Sequence, residues 1–441
     1  MKILICKEGG LNNFLKLTRK GGSCFVLIPK AAYIILGLFF ITQFSYADDL
    51  HYINMLVGDR SAGMGGAYTA ISDDPAGCFY NPAGIAFAAS TNLSASVNAF
   101  NKSIKTYKGP LRDINGKSLD WEQESSTLLP NFFGMVRKIG TGYLGVSYAV
   151  PDSTLKRQRQ MFHNIQSAFD NNNIDIYTIN INDSDETYLF GPSYAYPFSD
   201  SFSIGLSLYA YYRDMDVIRN QLLIFEQGQH YLSNFYETRR DWGLNPILGA
   251  IWEPFDKLAI GLSLSKIYVT SSDKETQSIY RNTLSEDYNG TNNILFTRTS
   301  FDNKPKFPLK SSLGVAYFYS SRFLLSGDII YYDSIGEKEA LLNFAVGAEY
   351  YFTEALAARF GLYTDLANTP SLSSMRVNQY EHIDIYGLSG SLSYFNKNTG
   401  ITLGMAYGYG DGEAQVISDD STIQDTETQS LTVSISASYN F

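Results

Sequence analysis

The residues able to do covalent or metal chemistry are few, and their spacing assembles none of it. His51, His163, His230 and His382 fall in the N-terminal stretch or between predicted strands, and none stands beside an alternating serine that a barrel hydrolase would use as nucleophile. The chain has no HExxH, CxxC, phosphate-loop or dinucleotide fingerprint. Asp419 and Asp420 could hold a divalent cation, although a solvated acidic loop has the same composition. The expectation is therefore no enzyme, no metal and no cofactor. Binding chemistry is better represented. Leu222, Leu223, Ile224 and Phe225 run together where a long loop is expected, and water gives no reason for such a run. It serves either an apolar groove for hydrophobic solutes or helices packed over the mouth of the fold. Arg213 and Lys310, near strand ends, could meet a carboxylate on such a solute or pair with acidic loop residues.

A second group of residues must position these. Gly58 to Ala88 reads GDRSAGMGGAYTAISDDPAGCFYNPAGIAFA, rich in Gly, Ala and Pro and unlike everything after it. Gly63, Gly65 and Gly66 allow positive φ and close backbone approach. Asp74-Pro75 and Asn81-Pro82 are turn initiators. Composition alone allows a Gly-rich surface loop or a compact knot of turns and short helix packed inside something. The order of its parts decides. A Gly-rich RSAGMGGA run, an acidic DDP step and a Phe79-Tyr80-Asn81-Pro82-Ala83-Gly84 element follow one another, and this stretch resembles the N-terminal hatch of the FadL/TodX family of outer-membrane transport proteins. The resemblance covers about 30 residues. It implies an all-β fold, a transmembrane antiparallel barrel of fourteen strands with the hatch in its lumen. It also implies passive uptake of hydrophobic molecules such as long-chain fatty acids or aromatic hydrocarbons. Cargo would leave sideways through the wall into outer-membrane lipid.

The remaining chain agrees with export to a membrane. Residues 1–47 resemble a signal peptide, with Lys16, Arg19, Lys20 and Lys30 before the apolar run Ala31 to Phe44 and small residues at Ser45 and Ala47. An uncleaved anchor, or a translation start near Val26, would use the same residues. Cleavage before Asp48 leaves 28 basic and 43 acidic residues, a net charge of −15, which excludes a nucleic-acid partner. Only Cys78 then remains, so no internal disulfide is possible, and Cys78 is expected to be a small buried residue.

No later run of 18 apolar residues exists, so any crossing must be made by strands. The last strand shows the pattern. Leu431, Val433, Ile435, Ala437, Tyr439 and Phe441 alternate with Thr432, Ser434, Ser436, Ser438 and Asn440. A terminal Phe441 resembles the signal read by the barrel assembly machinery. Fourteen such segments can be counted from 91–100 to 428–441. Short turns (near Gly140, Asp200, Phe255, Ser321, Glu354 and Asn398) alternate with long connections at 101–128, 152–185, 214–237, 271–307, 334–340, 365–382 and 411–427. Both chain ends would then lie in the periplasm. The inward positions are mostly small, among them Gly145, Ser147, Ser203, Gly205, Gly261, Ser263, Ser391 and Gly404, leaving room for a hatch at 48–90 inside a barrel at 91–441. Glu349 and Arg359 flank a turn at Glu354 symmetrically and should face each other as an ion pair. Met161, Phe162, Ile165 and Phe169 have helical spacing after Asp152-Ser153, predicting a helical outer loop. Pro192 and Pro246 should mark bulges or gaps in the wall. Two other readings share the pattern: a FadL-like barrel serving as a protein-secretion or surface-attachment subunit, and a general diffusion porin.

Overall fold

The computed structural model of the protein describes residues 50–88, 91–167, 172–283, 294–301, 304–416 and 421–441. The expectations for residues 1–47, for Phe169 and for Asp419-Asp420 lie outside the described residues. Among the described residues, sixteen strand segments follow three short helical elements. The segments are β1 (Asn92–Arg112), β2 (Ser118–Ile139), β3 (Gly142–Ile165), β4 (Ile174–Ser199), β5 (Phe202–Phe225), β6 (His230–Phe255), β7 (Leu258–Ser265), β8 (Tyr268–Asn282), β9 (Ile294–Phe301), β10 (Lys310–Ser320), β11 (Phe323–Tyr332), β12 (Leu341–Thr353), β13 (Leu356–Asp365), β14 (His382–Asn396), β15 (Thr399–Ala414) and β16 (Gln424–Asn440).

These sixteen segments make fourteen staves. β7 and β8 both pair with β6, β8 continuing where β7 stops. β10 pairs with β7 and β9 with β8, so β9 and β10 are likewise two parts of one interrupted stave. All pairings are antiparallel, β1 pairs with β16, and β5 with β6 completes the ring. The sheet is a closed fourteen-stranded transmembrane barrel. Closure is what a bilayer demands, because an unpaired backbone group in hydrocarbon costs several kcal/mol.

β5 displays the design of the wall along one strand. Its outward residues Phe202, Ile204, Leu206, Leu208, Ala210 and Tyr212 are apolar over eleven residues, the length a tilted strand needs to cross a bilayer. Above them the outward face turns polar at Asp214 and Asp216. The inward face runs from the small Ser203, Gly205 and Ser207, through Tyr209 and Tyr211, to Arg213, and ends at Leu223 and Phe225. The chain is therefore sorted by depth on both faces.

The long outer loops predicted at 101–128, 152–185, 214–237 and 271–307 are mostly ladder. β3, β4, β5 and β6 carry 24, 26, 24 and 26 residues, more than twice a bilayer crossing. The helix expected from Met161, Phe162 and Ile165 does not form, since these residues pair with Thr178, Tyr177 and Ile174 across the β3–β4 ladder. The reason is solvent. Above the membrane the outside faces water, so the alternation inverts to apolar inside and polar outside. Tyr107, Trp121, Ile179, Ile181, Leu223 and Tyr231 point inward and form a second apolar core above the bilayer. Leu222 and Ile224 point the other way, so the four-residue run is divided between two faces.

The lumen at membrane depth is occupied by residues 50–88. A Cβ on Gly361 would stand 2.1 Å from the Gly65 nitrogen, one on Gly205 2.3 Å from the Pro82 carbonyl carbon, and one on Gly261 2.2 Å from the Thr69 oxygen. These inward glycines on three separate staves are where the N-terminal segment touches the wall backbone to backbone. Gly361→Val is expected to prevent this seating while leaving the β12–β13 and β13–β14 ladders intact. Single-channel recordings in planar bilayers should then show a several-fold larger open conductance than the parent protein, and an unchanged conductance would show that the contact does not close the bore.

Candidate functional site

The segment 50–88 is built from short elements held by the wall. Helix α1 (Asp59–Gly63) ends in a turn where Gly65 and Gly66 take φ of 67° and 80°, the left-handed region that glycine enters freely. Gly63 is different: its backbone is helical, and its lack of a side chain admits Ser391, whose Oγ would stand 2.2 Å from a Cβ. Helix α2 (Gly77–Tyr80) and a 3₁₀ turn (Pro82–Phe87) follow. Asn81 joins them. Its Oδ1 accepts from the Ala83 amide at 3.2 Å, and its Nδ2 donates to the Thr69 carbonyl at 2.8 Å and, across to β6, to the Ala250 carbonyl at 3.1 Å. Pro82, Ala83 and Gly84 are buried, and Gly84 lies against Ser72, whose carbonyl oxygen would be 2.2 Å from a Cβ. Pro75 packs beside Gly134 of β2. Tyr80 accepts from the Val57 amide at 3.2 Å.

Polar side chains of the wall complete the backbone of the segment. Ser203 Oγ donates to the Ala83 carbonyl at 2.9 Å and Ser207 Oγ to the Cys78 carbonyl at 2.6 Å. Asp328 of β11 accepts from the Tyr68 and Thr69 amides at 3.0 and 2.9 Å. Cys78 is fully buried against Gly145, and burial pushes its thiol up to about 11, which makes it an inert packing residue.

One ion cluster ties the segment to β12 and β13. Glu349 and Arg359 stand opposite each other in register, as their spacing predicts, with Arg359 Nε 2.8 Å from Glu349 Oε1. A third member comes from the segment. Arg60 donates to Glu349 through Nη2 at 2.7 Å and to Asp73 through Nη1 at 2.5 Å. Arg60 lay unmarked in the sequence inside the Gly-rich run, where nothing local distinguishes an anchoring arginine from a solvated one. Removing Arg60 leaves a buried Glu349 with half its compensation, and such losses cost about 3–5 kcal/mol. Arg60→Ala should lower the thermal midpoint of the folded protein by several degrees. Adding Glu349→Gln should cost less than the sum of the two single changes, with a coupling of about 1–3 kcal/mol. Strict additivity would show that the pair is not coupled.

At the end of the barrel where the short turns lie, Asp74 caps its own turn, Oδ1 accepting from the Ala76 amide at 2.8 Å. Burial first, then Asp59 and Asp73, push its carboxyl up from 3.8 to about 7. A raised carboxyl favours folding only while protonated, so this contribution is full below about pH 4 and falls as the pH rises through 7. Resistance of the segment to protease should therefore decline between pH 5 and pH 8. Asp74→Asn keeps the capping acceptor and should flatten that slope; an equal slope in both proteins would sink the assignment.

Above the segment lies a central cavity of about 160 Å³. Phe79, Leu189, Tyr211, Ile247, Ile267 and Phe307 supply apolar walls. Ile267 and Phe307 come from the breaks between β7 and β8 and between β9 and β10, where the chain leaves the ladder. Lys310 borders the cavity with its ammonium 5.8 Å from the Phe79 ring centre and 5.9 Å from that of Tyr332, and it has no ion pair among the described residues. Arg213 reaches the same cavity but is committed to Asp185, Nε to Oδ1 at 2.8 Å and Nη2 to Oδ2 at 2.5 Å. Leu223 and Phe225 are not at this cavity; they are buried in the upper core.

The wall beside the cavity is interrupted. The β2–β3 ladder pairs Ser125 with Lys156 and Phe132 with Ala149, and nothing between them is paired. Continued register would set Pro130 opposite Pro151, neither of which has an N–H to donate. The β1–β2 ladder shifts between Asn98 and Asn101 and the β3–β4 ladder between Ala149 and Asp152, at the same height. Pro192 and Pro246, expected to mark such places, do so on one side each: Pro192 pairs with Val146 but the β4–β5 ladder skips from Phe190–Ala210 to Ser193–Ser207, and Pro246 pairs with Leu208 but stands opposite the break between β7 and β8. A lone proline interrupts the ladder on one side only. Two facing prolines leave no donor on either side.

The chain is a closed fourteen-stranded barrel with residues 50–88 in its bore and an apolar cavity above them. The fold is that of the FadL/TodX-type channels. A Pseudomonas aeruginosa FadL homologue superposes with a TM-score of 0.62 at 16% identity, over 89% of this chain and 100% of that one. The Pseudomonas putida toluene transporter TodX gives 0.61 at 14% identity over 88% and 99%. The Ralstonia pickettii toluene transporter TbuX gives 0.54 at 15% identity over 88% and 99%. No family model and no curated protein sequence matches the chain.

Proposed function

We propose that this protein is an integral outer-membrane channel for passive uptake of hydrophobic molecules, with residues 48–90 as a plug and both chain ends in the periplasm. The observation that carries the reading is the apolar cavity seated directly on the segment that closes the bore. Its volume of about 160 Å³ supports a compact guest. A cavity of about 150 Å³ accommodates benzene, whereas a sixteen-carbon chain needs several times that space. Single-ring hydrocarbons are therefore favoured over long-chain fatty acids. Burial contributes about 0.8 kcal/mol per methylene-sized group, enough for weak capture without any energy input. The interrupted β2–β3 ladder offers a sideways route into membrane lipid once a guest is held at this height. Phe441, exposed at the end of β16 and edge-on to Tyr439 at 4.8 Å, is available to the assembly machinery.

The outer loops cannot be tested by charging Leu223 and Phe225, because both belong to the hydrogen-bonded ladder and the upper core. Ile267→Asp is the better substitution, since Ile267 lines the central cavity from the stretch between β7 and β8, outside the ladder. Cells carrying the parent protein should take up labelled toluene faster than cells lacking it. Ile267→Asp should remove most of that difference with unchanged amounts of heat-modifiable barrel. Equal uptake with and without the protein, together with a co-purifying protein partner, would favour a secretion subunit instead.

A further inference from the structure

A second cavity, about 540 Å³, forms a vestibule above the first, and Lys338 lines both. Its character is different. The wall includes Trp121 and Tyr380, the guanidinium groups of Arg219 and Arg239, and the ammonium groups of Lys304 and Lys306. Arg219 is held by Asp183 at 2.7 Å and Arg239 by Asp241 at 2.9 Å, so both are fixed in place. Lys304 and Lys306 are exposed and have no ion pair among the described residues. Glu337 and Glu381 also line it, Glu381 paired with Lys105, and against these two carboxylates the five cationic side chains, Lys338 included, are an excess in a chain of net charge −10. Two buried polar atoms on the lining also lack a partner among the described residues. They are the indole N–H of Trp121, a residue 5% exposed, and the side-chain carbonyl of Gln221, a residue 7% exposed. Purely apolar cargo would gain nothing from the cations and would leave the Trp121 N–H unmet, whereas an anionic oxygen can accept from it.

We propose that the vestibule selects aromatic carboxylates, a reading that rests on the channel function above and narrows its cargo. The carboxylate would lie between Lys304 and Lys306, with Trp121 Nε1 as a further donor, and the ring would pack against the indole and the guanidinium planes. Lys338, shared by both cavities, and then Lys310 between its two rings continue the line of cations downward.

The test uses the purified full-length protein. The chain has three tryptophans, and Trp242 and Trp252 are exposed on the outer face. A Trp242→Phe/Trp252→Phe protein therefore reports Trp121 alone. Benzoate should change its emission saturably, less so at high salt. Toluene and octanoate should produce no comparable change. Lys304→Gln/Lys306→Gln in the same background should weaken benzoate about ten-fold or more, with the same heat-modifiable barrel. A response to toluene or octanoate equal to that of benzoate overturns the selectivity, as does an unchanged affinity in the lysine variant or no benzoate response at all. Toluene uptake by cells is read separately. If uptake persists while benzoate binding fails, only this inference falls; if benzoate binds but nothing is taken up, the channel reading falls.

Discussion

A strand in hydrocarbon has nowhere to place an unpaired N–H or C=O except on another strand. The rest of the structure follows from that constraint. It forces the sheet to close, with β5 returning to β6, and closure at fourteen staves encloses a bore too wide for its own side chains to fill. The inward face near the short turns is nonetheless small, as on β5 with Ser203, Gly205 and Ser207. The space those residues leave is taken by the N-terminal segment, whose backbone is then bonded by wall serines and by Asp328. A hole required by the bilayer thus becomes the place where the protein seats residues 50–88.

Much of this was legible before any coordinates. Alternation along Leu431 to Phe441 reveals a crossing strand because the lipid face has to be apolar at every second residue. The opposition of Glu349 and Arg359 follows from their symmetry about a short turn, and β12 pairs with β13 in that register. The upper hairpins were not legible by the same rule. Above the membrane the rule changes sign, and Ile179, Ile181 and Leu223 face inward because water has replaced lipid outside. A reader expecting apolar residues outside sees loops there, and Met161 to Ile165 then imitates a helix. The partner of Glu349 that matters most, Arg60, was hidden for another reason. Its role is a contact 289 residues away, and no local pattern encodes that distance.

Charge is handled in the lumen by pairing at each level. Arg60 and Arg359 share Glu349 near the short turns, Arg213 holds Asp185 in the middle, and Arg219 holds Asp183 higher up. Arg60 with Glu349, Arg213 with Asp185 and Arg219 with Asp183 are each bonded through two guanidinium nitrogens, so these buried ions are compensated in place. Among the described residues Lys310, Lys304 and Lys306 form no ion pair, and all three border cavities. Ion pairs build the wall, and these lysines stand at the empty spaces.

The two interrupted staves divide labour between wall and cavity. Elsewhere a residue facing the lumen also carries ladder hydrogen bonds, so changing it risks the barrel. Ile267 and Phe307 line the central cavity from stretches outside the ladder, and Phe307 meets Tyr211 edge-on at 5.7 Å. Substitution or insertion there reshapes the cavity with little effect on closure. Mutational freedom is therefore concentrated at the breaks after Ser265 and Phe301, and descendants of this chain could acquire new guests by drift in two short stretches while the rest of the sheet stays under strict constraint.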